Sequence, residues 1–268
     1  MAKPEQVVSH YENDRSQWWT GASHRWSWLH WPCNRHRCSG SWRRGRCLRQ
    51  QPGRCRNNGR HDPQPRGVAL AFPIDVRNRD DVVATTEQAV EQLGCLRGLV
   101  TAAGILHTGP LAEQNSSDWQ ELMAVNVNGT LHAVQAAIPH LKSSRGAIVT
   151  LGSVSAFIGS SDGGTYTTSK GAVLSFTYAA AGELASRGIR VNNVAPGWVD
   201  GGFTHQALRA SPETEALRAK TKRLHPLGRM AMPADMAHAV TWLLSDQAGF
   251  ITGSMLLVDG GFMVQHNA

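Results

Sequence analysis

From Gly67 onward, short apolar runs alternate with longer stretches in which apolar residues recur every three to four positions. Short continuous apolar runs fit strands covered on both faces, and a period near 3.6 fits helices with one buried side. The runs VALAFPIDV (68–76), LRGLVTAAG (96–104), GAIVTLGS (146–153), IRVNNVAPG (189–197) and GSMLLVDGG (253–261) are predicted strands. Segments 79–93, 117–141, 165–186 and 233–245 are predicted helices. Such alternation predicts an α/β fold, a doubly wound parallel sheet with helices on both faces. Ligands of these sheets bind at the carboxyl ends of the strands. No internal repeat or linker divides residues 67–268, which read as one domain.

Residues 1–66 break the pattern. The stretch RWSWLHWPCNRHRC (25–38) holds three of the nine tryptophans and two of the five cysteines, with neither helical nor strand periodicity. The net charge of +7 would suggest a nucleic-acid or membrane partner, but it is unevenly spread. Residues 1–66 carry 13 Lys and Arg against four Asp and Glu, whereas the remaining 202 residues carry 14 against 16. The basic character therefore belongs to the irregular segment, and neither partner is expected. Cysteine divides the same way: Cys33, Cys38, Cys47 and Cys55 precede Gly67 and only Cys95 follows. One cysteine in the regular part fits a reducing compartment. No apolar run approaches the roughly 18–20 residues of a membrane span. MAKPEQVVSHYEND lacks the apolar core of a secretory signal, so a cytoplasmic protein is expected.

Candidate chemistry lies in GTYTTSKGA (164–172), where Tyr166 and Lys170 stand four residues apart. On a helix that spacing puts both side chains on one face. An ammonium beside a phenol is expected to lower the tyrosine pKa from about 10 toward working pH, making Tyr166 a usable acid or base.

Several motifs in the same order make the chain resemble the short-chain dehydrogenase/reductase family. YTTSK (166–170) is similar to its YxxxK element, and Ser153 ends a strand where that family has a catalytic serine. NVNG (126–129) resembles its N-V-x-G helix, VNNVAPGWV (191–199) its Pro-Gly turn, and 226–246 with 251–261 its last helix and strand. The resemblance covers about residues 67–262 and implies a single Rossmann-type domain. It implies a catalytic set of Ser153, Tyr166, Lys170 and Asn126. Tyr166 would exchange a proton with the substrate oxygen, Ser153 would hydrogen-bond that oxygen, and Lys170 would hold the nicotinamide ribose. Asn126 would hold a water continuing the proton path. Asp75 and Val76 would meet the adenine edge. Ala103, Gly104, Pro196, Gly197 and Val199, with Tyr166 and Lys170, would contact the cofactor. Phe157, Ile158, Trp198 and the 201–225 segment are expected to line the substrate pocket, and Met255 to be strand core. His107, His132 and His205 have no metal-like spacing and are expected to be structural or solvated; no metal is expected.

The chain departs from the family pattern in three places. Thr101-Ala102-Ala103-Gly104 replaces Asn-Asn-Ala-Gly, and Gly201 stands where a phosphate-contacting threonine is common. The largest departure is the opening, where a strand and a T-G-x-x-x-G-x-G turn should present backbone N–H groups to a pyrophosphate. No such turn occurs in residues 1–66, although TGAS (20–23) is a fragment of one. The genetic code offers a reason. Tryptophan has the single codon TGG, which one base later reads GG plus any base, always glycine. Trp26, Trp28 and Trp31 become glycines spaced G-x-G-x-x-G, and positions 20–31 can decode as LVLVTGGAGSIG. Positions 42–49 can decode as GAEVAVCD, a strand ending in an acid at 49. Residues from about 15 to about 66 are thus read as translated out of frame between two compensating shifts. A zinc-binding segment is the rival, but gaps of four, eight and seven residues between its cysteines match no common zinc pattern. A single-stranded nucleic-acid segment would leave the glycine fingerprint to coincidence.

The resemblance implies an NAD(P)-dependent alcohol dehydrogenase or carbonyl reductase acting on a small molecule, as a homotetramer or dimer. An acid at 49 would favour NAD, with NADP the alternative. The contrasting reading is a catalytically inactive or misfolded chain, because the phosphate-binding turn is missing.

Overall fold

The computed structural model describes residues 70–159, 162–204 and 214–264, with the backbone of three short strands before them: β1 (Trp26–Ser27), β2 (Gly40–Arg43) and β3 (Arg46–Arg49). Apart from β1, the stretch 20–31 that can decode as a glycine turn lies outside the described residues, as do most of the 15–66 segment and His205. β2 and β3 pair antiparallel, and β1 pairs antiparallel with β4 (Ala71–Phe72). The predicted strand at 68–76 therefore shrinks to two residues outside the parallel sheet. Pro73 has no N–H to give a ladder, and the residues that should flank the strand carry no strand pattern.

The other four strands form one parallel sheet in the order β5 (Gly98–Thr101), β6 (Ala147–Leu151), β7 (Arg190–Pro196), β8 (Met255–Val258). Thr101 is level with Thr150, Leu151 with Val194, and Pro196 with Val258, so the carboxyl ends finish side by side. All five residues of β6 are buried, as a strand covered on both faces must be.

Each helix starts and stops where its local chemistry dictates. α1 (Arg79–Leu93) is capped by Asn78, whose side chain accepts from the amides of Asp80 and Asp81, and ends at Gly94 with φ +88°. α2 (Ser116–Met123), capped by Asn115, runs through a π-helical turn (Ala124–Asn128) into α3 (Gly129–Ser144). α4 (Gly164–Leu184) follows β6. α5 (Thr214–Arg223), inside a segment with no predicted helix, precedes α6 (Pro233–Leu244). On one face of the sheet Leu99, Ile148 and Val191 pack against Val134, Ala137 and Leu141 of α3 and Ala181 and Leu184 of α4. On the other, Val149, Leu151 and Val194 pack against Met236, Val240 and Leu243 of α6. Each fully buried Leu, Ile or Val side chain contributes about 1.5–3 kcal/mol. Among the described residues no helix is long and apolar enough to cross a membrane.

Two consecutive asparagines on β7 are buried. The Asn192 amide donates to the Ile251 carbonyl at 2.9 Å and its oxygen accepts from Ser254 N–H at 3.0 Å. The Asn193 amide donates to Thr150 Oγ1 at 2.7 Å, itself 2.7 Å from Thr177 Oγ1. Gly152, one residue before the candidate serine, lies so close that an added Cβ would stand 2.3 Å from Asn193 Oδ1. Gly152→Ala is therefore expected to cost about 1–3 kcal/mol in urea unfolding. Gly109→Ala, where an added Cβ meets nothing within 4 Å, is the near-neutral control. Equal midpoints for the two variants would mean that Asn193 turns aside freely.

Candidate active site

The carboxyl end of β6 delivers Ser153 into a short 3-10 turn (Val154–Ala156), where its Oγ accepts from Ser155 N–H at 3.1 Å. Ser153 is buried, and its hydroxyl is near enough to the Tyr166 phenol to act on that group's pKa. Tyr166 and Lys170 lie on the first two turns of α4, one above the other as their spacing predicts. Lys170 is 6% exposed; its Nζ donates to the Leu151 carbonyl at 2.9 Å and stands 5.6 Å from the Tyr166 ring centroid. Phe203 meets the Tyr166 ring edge-on, centroids 6.3 Å apart. No motif in the 201–225 segment marks Phe203 in the sequence.

Asn126 sits in the π-helical turn, 1% exposed. Its oxygen accepts from Ile105 N–H at 2.8 Å, and its amide donates to the Ile105 carbonyl at 3.0 Å and to Ser169 Oγ at 3.1 Å. Ser169 donates in turn to the Tyr166 carbonyl at 2.8 Å. The structure thus gathers Ser153, Tyr166 and Lys170 and bonds Asn126 to the same helix.

The electrostatics differ from the expectation for Tyr166. Burial pushes its phenol up to about 12, against a smaller lowering by the Ser153 hydrogen bond. The Lys170 ammonium does not bring it down, because Nζ is turned to the Leu151 carbonyl and burial lowers its own pKa to about 8. Although Tyr166 as a whole is only half-buried, its phenol is densely surrounded, and desolvation decides the sign.

The expected cofactor contacts divide into two groups. Gly104 lies against the cluster: an added Cβ would stand 3.2 Å from Asn126 Oδ1 and 3.6 Å from Phe203. Ala103 packs against the core beside it. The turn after β7 is held by Gly197 N–H on the Val258 carbonyl at 3.3 Å and by a parallel bridge between Val199 and Ala231. Pro196 ends that strand. Asp75 and Val76 occupy the turn before α1. Arg77 takes both Asp75 oxygens, at 2.7–3.0 Å, and Val76 is wholly buried with its carbonyl 3.0 Å from His132 Nδ1. His132 is thus structural, and His107 lies 3.3 Å from Glu121. Phe157 and Ile158 are exposed. Among the described residues no group of His, Cys, Asp and Glu could hold a metal.

Comparison with known proteins identifies the family and the fold. The family described as enoyl-(acyl carrier protein) reductase matches residues 59–263. The 2-(S)-hydroxypropyl-CoM dehydrogenase 3 of Xanthobacter autotrophicus is 39% identical over 195 residues, 72% of this chain and 76% of that protein. The ligand-free aldohexose dehydrogenase of Thermoplasma acidophilum superposes with a TM-score of 0.71 at 32% identity, over 78% of this chain and 83% of that one. ElxO with NADP bound superposes with a TM-score of 0.67 at 28% identity, over 72% and 78%. The chain belongs to the short-chain dehydrogenase/reductase family.

Short-chain dehydrogenases use a nicotinamide cofactor, and the nicotinamide end of the site fits one. Thr101 Oγ1, at the carboxyl end of β5, is buried without a hydrogen-bond partner, an unused polar atom at the strand ends where such a cofactor would lie. The segment in which the family's glycine turn is expected precedes Leu70 and lies outside the described residues.

The Lys170 environment has a measurable consequence. Between about pH 8 and its ordinary 10.5 the folded chain holds fewer protons on this group than the unfolded chain, so stability rises with pH across that window. Tyr166 acts oppositely, lowering stability from its ordinary pH 10 to about 12. Relative to Lys170→Met, the wild type is expected to gain up to about 3 kcal/mol between pH 7 and 10.5 in urea unfolding. A pH-independent difference would show that Lys170 titrates as an exposed lysine.

Proposed function

We propose that this chain is an NAD(P)-dependent oxidoreductase that interconverts an alcohol and its ketone or aldehyde. What carries the proposal is the convergence of Ser153, Tyr166 and Lys170 at the carboxyl end of β6, with Asn126 tied to the helix that bears two of them. A bound nicotinamide supplies the hydride acceptor or donor at its C4. Tyr166 exchanges a proton with the substrate oxygen through its phenol, and Ser153 donates a hydrogen bond to the same oxygen. Lys170, whose Nζ lies on the Leu151 carbonyl in this structure, would hold the nicotinamide ribose. Asn126 fixes the loop of Ile105 and maintains a water path behind Lys170. A phenol held neutral to about pH 12 is the proton-donating form, the one that carbonyl reduction by a bound reduced nicotinamide would draw on. Ala103, Gly104, Pro196, Gly197 and Val199 form the wall against the nicotinamide half, and Asp75 and Val76 the adenine edge. Phe157, Ile158 and Phe203 give the pocket a partly apolar lining, suited to small secondary alcohols such as the hydroxypropyl group in the relative's name. The protein acts in the cytoplasm as a homo-oligomer.

The second reading, an inactive chain, is favoured by one observation: residues 1–66 contain no glycine turn for the pyrophosphate. We propose that residues 15–66 are an out-of-frame stretch replacing the first βαβ of the cofactor domain, and that the restored segment selects NAD over NADP through an acid at position 49. Resequencing codons 10–70 is expected to reveal two compensating single-base shifts; the sequence confirmed as written would favour the inactive reading.

Titrating the chain as written and the frame-restored protein with NADH and NADPH, followed by cofactor fluorescence, separates the two readings. Saturable binding with NADH preferred is the expected outcome for the frame-restored protein, and no saturable change for either cofactor would overturn it. In that protein Tyr166→Phe is expected to lower kcat by about 10²–10⁴-fold with cofactor binding retained.

A further inference from the structure

His225 is 2% exposed, contacts neither Ser153 nor Tyr166, and carries no hydrophobic or catalytic signature in the sequence, yet both its ring nitrogens are engaged. Nε2 lies 3.1 Å from Trp198 N–H, in the turn after β7, and Nδ1 lies 2.7 Å from the Thr221 carbonyl on α5. A backbone amide only donates and a carbonyl only accepts. The pair of contacts therefore requires a neutral ring with the proton on Nδ1 and a bare Nε2. An imidazolium would set two N–H donors against each other at Trp198.

The ring is also packed in place. An added Cβ on Gly197 would stand 2.8 Å from His225 Nε2 and 3.1 Å from Asp259 Cα. Gly260, at φ +58°, is a neighbour of the ring, an added Cβ there standing 3.5 Å from His225 Cδ2, and the Phe262 ring is tilted against it with centroids 5.5 Å apart. The carboxylate in this neighbourhood, Asp259, accepts from Gly261 N–H at 3.0 Å and Met263 N–H at 2.9 Å. Lys222 and Arg223 precede His225 on α5, and Arg218 pairs with Asp200 at 3.3 Å beyond the turn. The absence of a side chain at Gly197 is what lets the imidazole reach the amide of Trp198.

We propose that His225 is a positioning residue: as a neutral imidazole it fixes the Pro196–Gly197–Trp198 turn and ties it to α5. The turn is the wall assigned above to the nicotinamide, so the catalytic meaning of the proposal rests on that reading, while the mechanical part stands without it. His225 acts through the turn and touches no reacting atom. It links the substrate-side segment ending in α5 to the cofactor-side turn by two hydrogen bonds through one rigid ring.

Amide hydrogen exchange of the full chain, read at Trp198, tests it. His225→Phe keeps a planar aromatic ring, slightly larger, but removes the acceptor, and is expected to speed Trp198 exchange at least about 10-fold while melting within the range of other core variants. His225→Gln can accept the same hydrogen bond through Oε1 and is expected to stay within about 3-fold of wild type. Equal Trp198 exchange in wild type and Phe variant would overturn the proposal, and so would a Gln variant as fast as Phe. Should the Phe variant not fold, the Gln variant decides together with ¹⁵N-histidine spectra of the wild type. One imidazole that is lost in His225→Gln must then show the Nδ1–H tautomer; the Nε2–H form or an imidazolium overturns the assignment. In a chain that binds NADH, the Phe variant is expected to weaken binding about 10-fold and the Gln variant to restore it. Absence of NADH binding in wild type would count against the proposed oxidoreductase alone, since the exchange and tautomer results do not depend on cofactor.

Discussion

One carboxamide holds the site together. Asn126 meets both the N–H and the carbonyl of Ile105, in the loop after β5, and reaches across to Ser169 on α4. Three segments far apart in the chain are thereby fixed at the ends of the strands. Its position depends on the π-helical turn, which takes the helix out of its ordinary spacing for five residues and aims the side chain inward. Gly104 must be small because an added Cβ would press on the same amide oxygen. Deep burial of a primary amide costs least when its donors and acceptor are used, as those of Asn126 are.

The pair of titratable groups shows a second competition. Two side chains one helical turn apart are near enough to influence each other through charge, but burial acts on both toward neutrality. Lys170 relieves its burial by turning to the Leu151 carbonyl, and Tyr166 is left under the dominant effect of desolvation with only Ser153 opposing it. Sequence spacing states which groups are neighbours; it does not state which way an ammonium points or how much water is left beside a phenol.

That difference explains what could be read in advance. Four of the five apolar runs became strands of the parallel sheet, and all four predicted helices formed, because a buried strand and an amphipathic helix each leave a period in the sequence. The run at 68–76 failed because a parallel strand depends on its neighbours, and Pro73 removes a ladder donor. α5 has few apolar residues to mark a buried face, which hid it. Asn126, Ser153, Tyr166 and Lys170 could be named because their motifs have fixed spacing. His225 could not, since its partners are backbone groups whose identity no side chain announces. Phe203 lies in a segment without a motif.

The adjacent asparagines of β7 carry a consequence for how the sheet assembles. In an all-apolar parallel sheet, sliding one strand by a residue exchanges the faces but leaves the hydrophobic content nearly unchanged. Here Asn192 finds its partners at Ile251 and Ser254 and Asn193 finds Thr150, on opposite sides of the same strand. A slipped β7 would strand both amides among aliphatic side chains, each unsatisfied group costing about 1–3 kcal/mol. Polar residues at the centre of the sheet therefore act as a key that admits a single alignment, and the serine, tyrosine and lysine inherit their relative heights from it.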